Sequence, residues 1–156
     1  MKTKMETPVL TLDFEVEPVA VQSVRFFRAG NKIRSFQPGK VTDFKSFIRY
    51  SAIQQLPDGF VPLDGPLKVA VDFVFLPPKS LPKRELKKIE SGQIVYKTTR
   101  PDLGDNLMKG FSDALTKTVW TDDSRVCEVH SRKFYGKRAG ISVRIFSLSA
   151  LPCVEL

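Results

Sequence analysis

Residues 67–75 read LKVAVDFVF. Large apolar side chains occupy every second position, which is the period of a β-strand. The residues between them are also partly apolar, because they include Ala70 and Val74. A strand with one apolar and one partly apolar face belongs in the interior of a sheet. This stretch therefore predicts a central strand, which Pro77-Pro78 brings to an end.

Other stretches with the same two-residue period predict the neighbouring strands. Residues 10–17 alternate apolar with polar or acidic side chains, as in a strand with one face in water. Val126–Phe134 and Ile141–Leu148 flank the turn sequence GKRAG at 136–140 and predict a β-hairpin. Ile94–Thr99 predicts one more strand.

The N-terminal part of the chain predicts another hairpin, followed by a helix. Ser23–Phe27 and Lys32–Phe36 are extended candidates on either side of Ala29-Gly30-Asn31, where Gly and Asn tolerate positive φ. Thr42 then precedes residues spaced for one helical face, and Pro57 ends that helix. The residues of this face are Phe44, Phe47, Ile48, Ser51, Ala52 and Gln55.

Residues 79–92 are polar and basic, and two interpretations stay open for them: a short helix opened by Pro82, or a mobile arm. Taken together, these elements predict the α+β class. We expect a single domain over residues 1–156, with a mainly antiparallel or mixed sheet and at least two helices.

Composition excludes several classes of protein. No apolar run approaches the roughly 20 residues of a membrane span, and no signal-peptide core follows the N-terminus, so we expect a cytoplasmic protein without a membrane partner. Cys127 and Cys153 provide no disulfide framework and, with one histidine, no usual four-ligand zinc site. His130 is expected to be a surface or structural residue, so any catalysis would depend on carboxylates and lysines.

The net charge of +8 is unevenly distributed along the chain. Residues 24–49, 79–100 and 124–144 each carry a net charge of +5 or +6, whereas residues 102–123 carry −3. Basic segments suit a polyanionic partner such as nucleic acid. An acidic segment among them repels phosphate unless cations occupy it, which points to a bound divalent metal.

Residues 102–115, DLGDNLMKGFSDAL, carry the candidate chemistry. At about 100° per residue, Asp105 and Lys109 fall on one face of a helix and the apolar residues fall on the other. Asp102 lies just before this helix. Asp122-Asp123 follows after a short connection, and a turn there would bring one of its carboxylates back toward Asp102 and Asp105. Three carboxylates would form a divalent-metal site.

These residues resemble the signature of the RusA family of Holliday junction resolvases, which runs Pro-Asp-x-Asp-Asn-Leu-x-Lys, then Asp-Ala-Leu, then Asp-Asp. The similar residues are Arg100-Pro101-Asp102, Asp105-Asn106-Leu107 with Lys109, Asp113-Ala114-Leu115 and Asp122-Asp123. The resemblance covers about residues 100–130. Two residues, Leu103 and Gly104, separate the first two aspartates where the family has one. Asp102 matches the first family aspartate if Gly104 is absorbed as a local bulge.

The resemblance implies a homodimeric endonuclease that nicks paired strands of a four-way DNA junction. It further implies a catalytic segment at about residues 100–126, Mg²⁺ or Mn²⁺ as cofactor, no organic cofactor, and often a phage or prophage origin. The implied metal ligands are Asp102, Asp105, Asp122 and Asp123, and the implied catalytic residues are Asp102, Asp105, Lys109 and Asp123. Asp113 is expected to be structural or a partner of Lys109.

The basic segments predict the DNA-binding surface. Its expected members are Arg25, Arg28, Lys32, Arg34, Lys83, Arg84, Lys87, Lys88, Arg100, Arg132, Lys133, Lys137 and Arg138. Two alternatives stay open. One is a metal-dependent nuclease for other branched or flapped DNA, and the other is a non-catalytic DNA-binding protein, which would leave the acidic segment unexplained.

Overall fold

The secondary structure follows the periodicity of the sequence in most places. The computed structural model describes residues 6–20, 25–29, 32–36 and 39–148. Within these residues it has three α-helices and a five-stranded mixed sheet, the α+β class that the sequence predicts. In chain order the elements are β1 (Leu10–Phe14), β2 (Arg25–Ala29), β3 (Lys32–Phe36), α1 (Gly39–Gln55), β4 (Leu67–Phe75), α2 (Lys83–Glu90), β5 (Val95–Tyr96), a π-helical turn (Leu103–Met108), α3 (Lys109–Leu115), a 3₁₀ turn (Asp123–Arg125), β6 (Val126–Tyr135) and β7 (Gly140–Ser147).

Strand β4 lies in the middle of the sheet, as its composition predicts. The strand order is β1-β7-β4-β6-β5. β4 pairs in parallel with β6 and antiparallel with β7. Its large apolar side chains are buried on the side that carries the helices, and Ala70 is buried on the other side. A strand that is apolar on both faces is most stable in the interior of a sheet, where both of its edges are hydrogen-bonded to neighbouring strands.

The predicted hairpin of β6 with β7 is wrong, because β4 lies between these two strands and pairs with each of them. The connection from β6 to β7 crosses the end of β4, where the Gly136 N–H donates to the Phe75 carbonyl at 3.0 Å. A Cβ on residue 136 would lie 2.5 Å from Val74 Cγ1, so any other residue there would force the Val74 side chain to move. Burial of the apolar β4 between two long strands outweighs the local tendency toward a hairpin.

Helices α1 and α3 pack against each other over one face of the sheet. The Phe111 ring of α3 meets the rings of Phe14 and Phe73 edge-on, with centroid distances of 5.6 and 5.8 Å. These contacts join α3 to β1 and β4. Helix α3, which follows the first acidic segment (residues 102–108), is therefore held over the middle of the sheet.

Helix α1 buries a narrower face than its spacing predicts. Phe44, Ile48 and Ala52 are buried, but Phe47 is 42% exposed. At about 100° per residue, Phe47 lies more than a quarter turn from Ile48 and falls outside the strip that faces the core. At the end of the helix, Gln55 contacts an edge strand: the Asp13 N–H donates to Gln55 Oε1 at 2.9 Å, and Gln55 Nε2 donates to the Asp13 carbonyl at 2.8 Å.

The basic segment 79–92 forms a helix, which decides between the two interpretations of its sequence. Helix α2 begins directly after Pro82 and buries Ile89. The next predicted strand is shorter than expected, since β5 contains only Val95 and Tyr96. One more backbone bond follows, from the Lys97 N–H to the Lys133 carbonyl at 3.2 Å. The chain then leaves the sheet toward Pro101, which has no N–H to continue the pairing.

Strands β2 and β3 form a separate antiparallel pair, which confirms the pairing predicted for the first hairpin. Its predicted turn residues Gly30 and Asn31, and Ser23 at its start, lie outside the described residues. For this hairpin the structure describes the backbone of β2 and β3 and not the side chains. In the described ranges, no helix is long and apolar enough to cross a membrane.

Candidate active site

The first acidic segment opens with a wide helical turn. The Leu107 N–H donates to the Asp102 carbonyl, five residues earlier, at 3.2 Å. This bond defines a π-helical turn, which holds more residues than an α-helical turn. Gly104 lies inside it, and a Cβ at that position would meet nothing within 4 Å. The π-helical turn thus contains both residues that separate Asp102 from Asp105, and nothing packs against the position of Gly104.

The π-helical turn and α3 present the two faces that the sequence predicts. Asp102, Asp105 and Lys109 are exposed. Leu107 and Phe111 are buried on the opposite side. Asp113 is also exposed, and its carboxylate lies 3.5 Å from the ammonium of Lys45 on α1. This ion pair gives Asp113 a structural contact between the two helices.

The chain reaches Asp102 along a segment that is bound to β6. Lys133 Nζ donates to the carbonyl of Thr99 at 2.6 Å and to the carbonyl of Pro101 at 2.7 Å. The π-helical turn itself also lies against β6. The position of the first acidic segment is thus defined relative to an interior strand of the sheet.

The second acidic segment, Asp122-Asp123, is flanked by residues that are bound to the connection between α1 and β4. The Leu63 N–H donates to the Val119 carbonyl at 2.8 Å, and the Thr121 N–H donates to the Leu63 carbonyl at 3.0 Å. Asp64 adds side-chain contacts, because its Oδ1 accepts from Thr121 Oγ1 at 2.9 Å and from Arg125 Nε at 2.7 Å. These hydrogen bonds, with the charge of Arg125, hold the pKa of Asp64 below its ordinary value. Asp122-Asp123 lies between Thr121 and Arg125, the two residues that donate to Asp64.

Asp122 caps the short turn that precedes β6. Its Oδ1 accepts from the Ser124 N–H at 2.9 Å. Hydrogen bonds from the Ser124 side chain and backbone lower the pKa of Asp122. Both Asp122 and Asp123 are exposed. A carboxylate that is anionic and open to water is available to a cation.

The two acidic segments share one neighbour, since the π-helical turn packs against β6 and the 3₁₀ turn leads directly into it. In the described part of the chain, however, no three acidic, histidine or cysteine side chains are gathered closely enough to hold a metal on their own. The carboxylates thus form two exposed groups beside the same strand. Their oxygen donors suit Mg²⁺, which commonly takes only one or two carboxylates and completes its shell with water and substrate phosphate.

A sequence model of the family described as Endodeoxyribonuclease RusA matches residues 15–146, which include both acidic segments and β6. The chain belongs to the RusA family of endodeoxyribonucleases. It is also similar to the uncharacterized protein YqaN of Bacillus subtilis (strain 168), with 33% identity over 136 residues that cover 86% of this chain and 93% of that protein. As a RusA-family member, the chain is a hydrolase of DNA phosphodiester bonds. The family acts on branched DNA junctions and depends on divalent metal.

The basic residues predicted to bind DNA in this RusA-family chain fall into two groups. Those with exposed side chains are Lys83, Arg84, Lys87, Arg100, Lys137 and Arg138, and Lys88 is half-buried. Others are engaged within the fold: Arg132 makes a two-bond ion pair with Asp72, at 2.6 and 2.8 Å, and Lys133 holds the segment before Asp102. The hydrogen bonds that Arg132 donates to the Asp72 carboxylate raise the pKa of Arg132. The side chains of Arg25, Arg28, Lys32 and Arg34 lie outside the described part.

Several residues around the site are absent from the sequence prediction. Asp64 lies in a loop 57 residues before Thr121, and no local pattern connects the two positions. An open cleft of about 580 Å³ beside Arg100 and Pro101 is also lined by Lys40 and Lys97. Lys40 lies in the first turn of α1 and Lys97 follows β5, so only the folded chain brings them to one groove.

We expect Asp64→Asn to lower the thermal unfolding midpoint at neutral pH, because the amide cannot replace the charge-assisted bonds to Arg125 and Thr121. Since the pKa of Asp64 is lowered in the folded state, its contribution is fully present above the ordinary aspartate pKa of about 3.9 and is lost as pH falls through the lower folded value. The difference in midpoint between wild type and variant should therefore shrink in acid. Equal midpoints at pH 7 would show that Asp64 does not hold the second acidic segment.

Proposed function

We propose that this chain resolves four-way DNA junctions by paired nicks, acting as a homodimer with Mg²⁺ bound by its aspartates and Mn²⁺ as a substitute. The observation that carries the proposal is the placement of both acidic segments beside β6, one in the turn that packs on this strand and one in the turn that leads into it. Membership of the RusA family supports the same reaction.

The metal would be held by Asp102, Asp105 and Asp123, with Asp122 beside them. Because these carboxylates form two groups, we propose that the DNA phosphate completes the site. A divalent ion bound there supplies an activated water and neutralises charge on the scissile phosphate. Asp122 carries a negative charge across the neutral range, as an ordinary aspartate does, and the bonds from Ser124 lower its pKa further.

Lys109 is the cationic group of the site. It is exposed at the first position of α3, four residues after Asp105, so both side chains project from the same side of the helical segment. Its ammonium would donate to the oxygen on which negative charge develops as the phosphodiester bond breaks. Two such sites related by a two-fold axis would nick two strands of one junction, which is our reason for proposing a dimer.

We propose that the exposed side of α2 holds the phosphate backbone. Each phosphate neutralised by Lys or Arg releases counterions, so the binding constant falls with salt by a log–log slope of about −0.9 per contact on duplex DNA. Replacing Lys83, Arg84, Lys87 and Lys88 together with Ala should flatten this slope and weaken binding to junctions and linear duplex alike. The measurement is a salt titration of both DNAs with metal withheld. An unchanged slope would move the DNA surface to Lys137, Arg138 and the first hairpin.

The deciding experiment compares cleavage of a synthetic four-way junction with cleavage of linear and flapped DNA, in Mg²⁺ or in EDTA. We expect Mg²⁺-dependent paired nicks in the junction and little cleavage of linear duplex. Faster cleavage of flapped DNA would favour a nuclease of different specificity. Junction binding without cleavage in either Mg²⁺ or Mn²⁺ would contradict the proposed function. Light scattering of the free protein and of the complex tests the dimer.

A further inference from the structure

The ammonium of Lys133 binds the backbone rather than facing open solvent. It donates to the Thr99 and Pro101 carbonyls at 2.6 and 2.7 Å, two of the shortest side-chain hydrogen bonds in the described residues. Bonds from a charged donor at this distance are stronger than neutral ones. Two of the three donor positions of the ammonium are therefore used within a single loop.

This loop is fastened to β6 at more than one point. The Lys97 N–H donates to the carbonyl of Lys133 at 3.2 Å, and Lys97 Nζ donates to Thr99 Oγ1 at 2.7 Å. β6 lies between β4 and β5, so both of its edges are paired along part of its length. The loop thus rests on a rigid interior strand. Among its contacts with β6, the bond from Lys133 to the Pro101 carbonyl lies nearest to Asp102 along the chain.

Hydrogen bonds hold the backbone on both sides of the Asp102 Cα. The Pro101 carbonyl before it accepts from Lys133, and its own carbonyl accepts from the Leu107 N–H at 3.2 Å. The Asp102 side chain is exposed, and the described residues give it no hydrogen bond. Its direction is therefore determined mainly by the backbone that Lys133 holds.

We propose that Lys133 is a positioning residue that fixes Asp102 for metal binding. It would then not contact DNA, although the basic segment 124–144 around it predicts such a contact. This inference rests on the proposed function of Asp102 as a metal ligand. Ligand groups need placement within about 0.5 Å, and residues that orient metal ligands typically change metal affinity about 10-fold to 100-fold when they are removed. Loss of the ammonium would leave two loop carbonyls without this partner and release the start of the π-helical turn.

The test uses the full chain with Lys133→Met, which keeps the aliphatic stem and removes the donors, and Lys133→Arg, which restores them. Lys68→Met is the matched control, because Lys68 is also a partly buried lysine of the sheet, with its ammonium 2.8 Å from Glu6 Oε2 and 3.7 Å from Glu128 Oε1. The readouts are the Kd for Mn²⁺ by calorimetry, hydrogen exchange of residues 97–108, junction binding in EDTA, and single-turnover cleavage.

We expect Lys133→Met to weaken Mn²⁺ binding by about 10-fold to 100-fold, to raise the metal concentration needed for cleavage by a similar factor, and to speed exchange at the π-helical turn. Junction binding in EDTA should change by less than about twofold, as for an ordinary surface substitution. Lys133→Arg should recover most of the metal affinity, and Lys68→Met should match wild type in all four readouts.

An unchanged Mn²⁺ affinity in Lys133→Met would overturn the inference, and weaker junction binding in EDTA would restore Lys133 to the DNA surface. If wild type binds Mn²⁺ but cleaves no junction, the proposed function fails, while a loss of metal affinity in Lys133→Met still supports positioning. If wild type binds no Mn²⁺, both fail. Should Lys133→Met not fold, as judged by circular dichroism, Lys133→Gln takes its place with the same expected results.

Discussion

Asp105→Asn should abolish junction cleavage and leave junction binding intact. The substitution keeps the size and exposure of the side chain but removes the anionic oxygen that would hold the metal. Junction binding in the absence of metal should be at least as tight as in wild type, because the basic surface is untouched and one carboxylate that repels phosphate is removed. The measurements are single-turnover cleavage in Mg²⁺ and a binding titration in EDTA on the same junction.

Asp58→Asn is the control for this prediction, since Asp58 is an exposed aspartate in a loop outside both acidic segments. It should cleave at the wild-type rate. Equal losses of binding and cleavage in Asp105→Asn would indicate a structural role for Asp105 and remove it from the catalytic site. Full activity in Asp105→Asn would contradict the assignment altogether.

Lys109→Ala should lower the cleavage rate by about a hundredfold or more, as expected when one positioned donor to the developing charge is lost. The fold should survive, because an exposed Lys→Ala change in a helix is nearly neutral. Rates at saturating metal and DNA, together with the thermal unfolding midpoint, separate loss of chemistry from loss of structure.

Lys117→Ala provides the matched comparison, because Lys117 is an exposed lysine just beyond the C-terminal end of α3. Its cleavage rate should equal that of wild type. A Lys109→Ala variant with wild-type turnover would make Lys109 an ordinary surface lysine, and the cationic role would pass to another basic side chain of the site.

Much of the candidate site follows from the linear sequence, because its residues are close together along the chain. Helical spacing alone places Asp105 and Lys109 on one side and Leu107 and Phe111 on the other, and the structure confirms these two faces. The widened turn around Gly104 could only be anticipated as a bulge. Its form depends on which backbone carbonyl the Leu107 N–H reaches.

The contacts that hold the site in place could not be predicted from the sequence, because they join residues far apart in the chain. Asp64 contacts Thr121 and Arg125, and Lys133 contacts Thr99 and Pro101, across separations of more than thirty residues. A charged residue in a basic run looks the same in sequence whether it faces solvent or binds a loop carbonyl. Only the folded backbone distinguishes these two environments.

The sequence by itself determined the elements of this protein: the central position of β4, the helix α1 and the amphipathic acidic segment follow from side-chain periods of two and 3.6 residues. These patterns depend on local geometry and on which face is apolar. Tertiary structure decided the pairing of β6 and β7. Residues 126–148 have the form of a hairpin, yet β4 lies between the two strands, because burial of its apolar faces favours two paired neighbours over one. Strand pairing is a competition among all edges of the chain, and its outcome depends on the total surface buried.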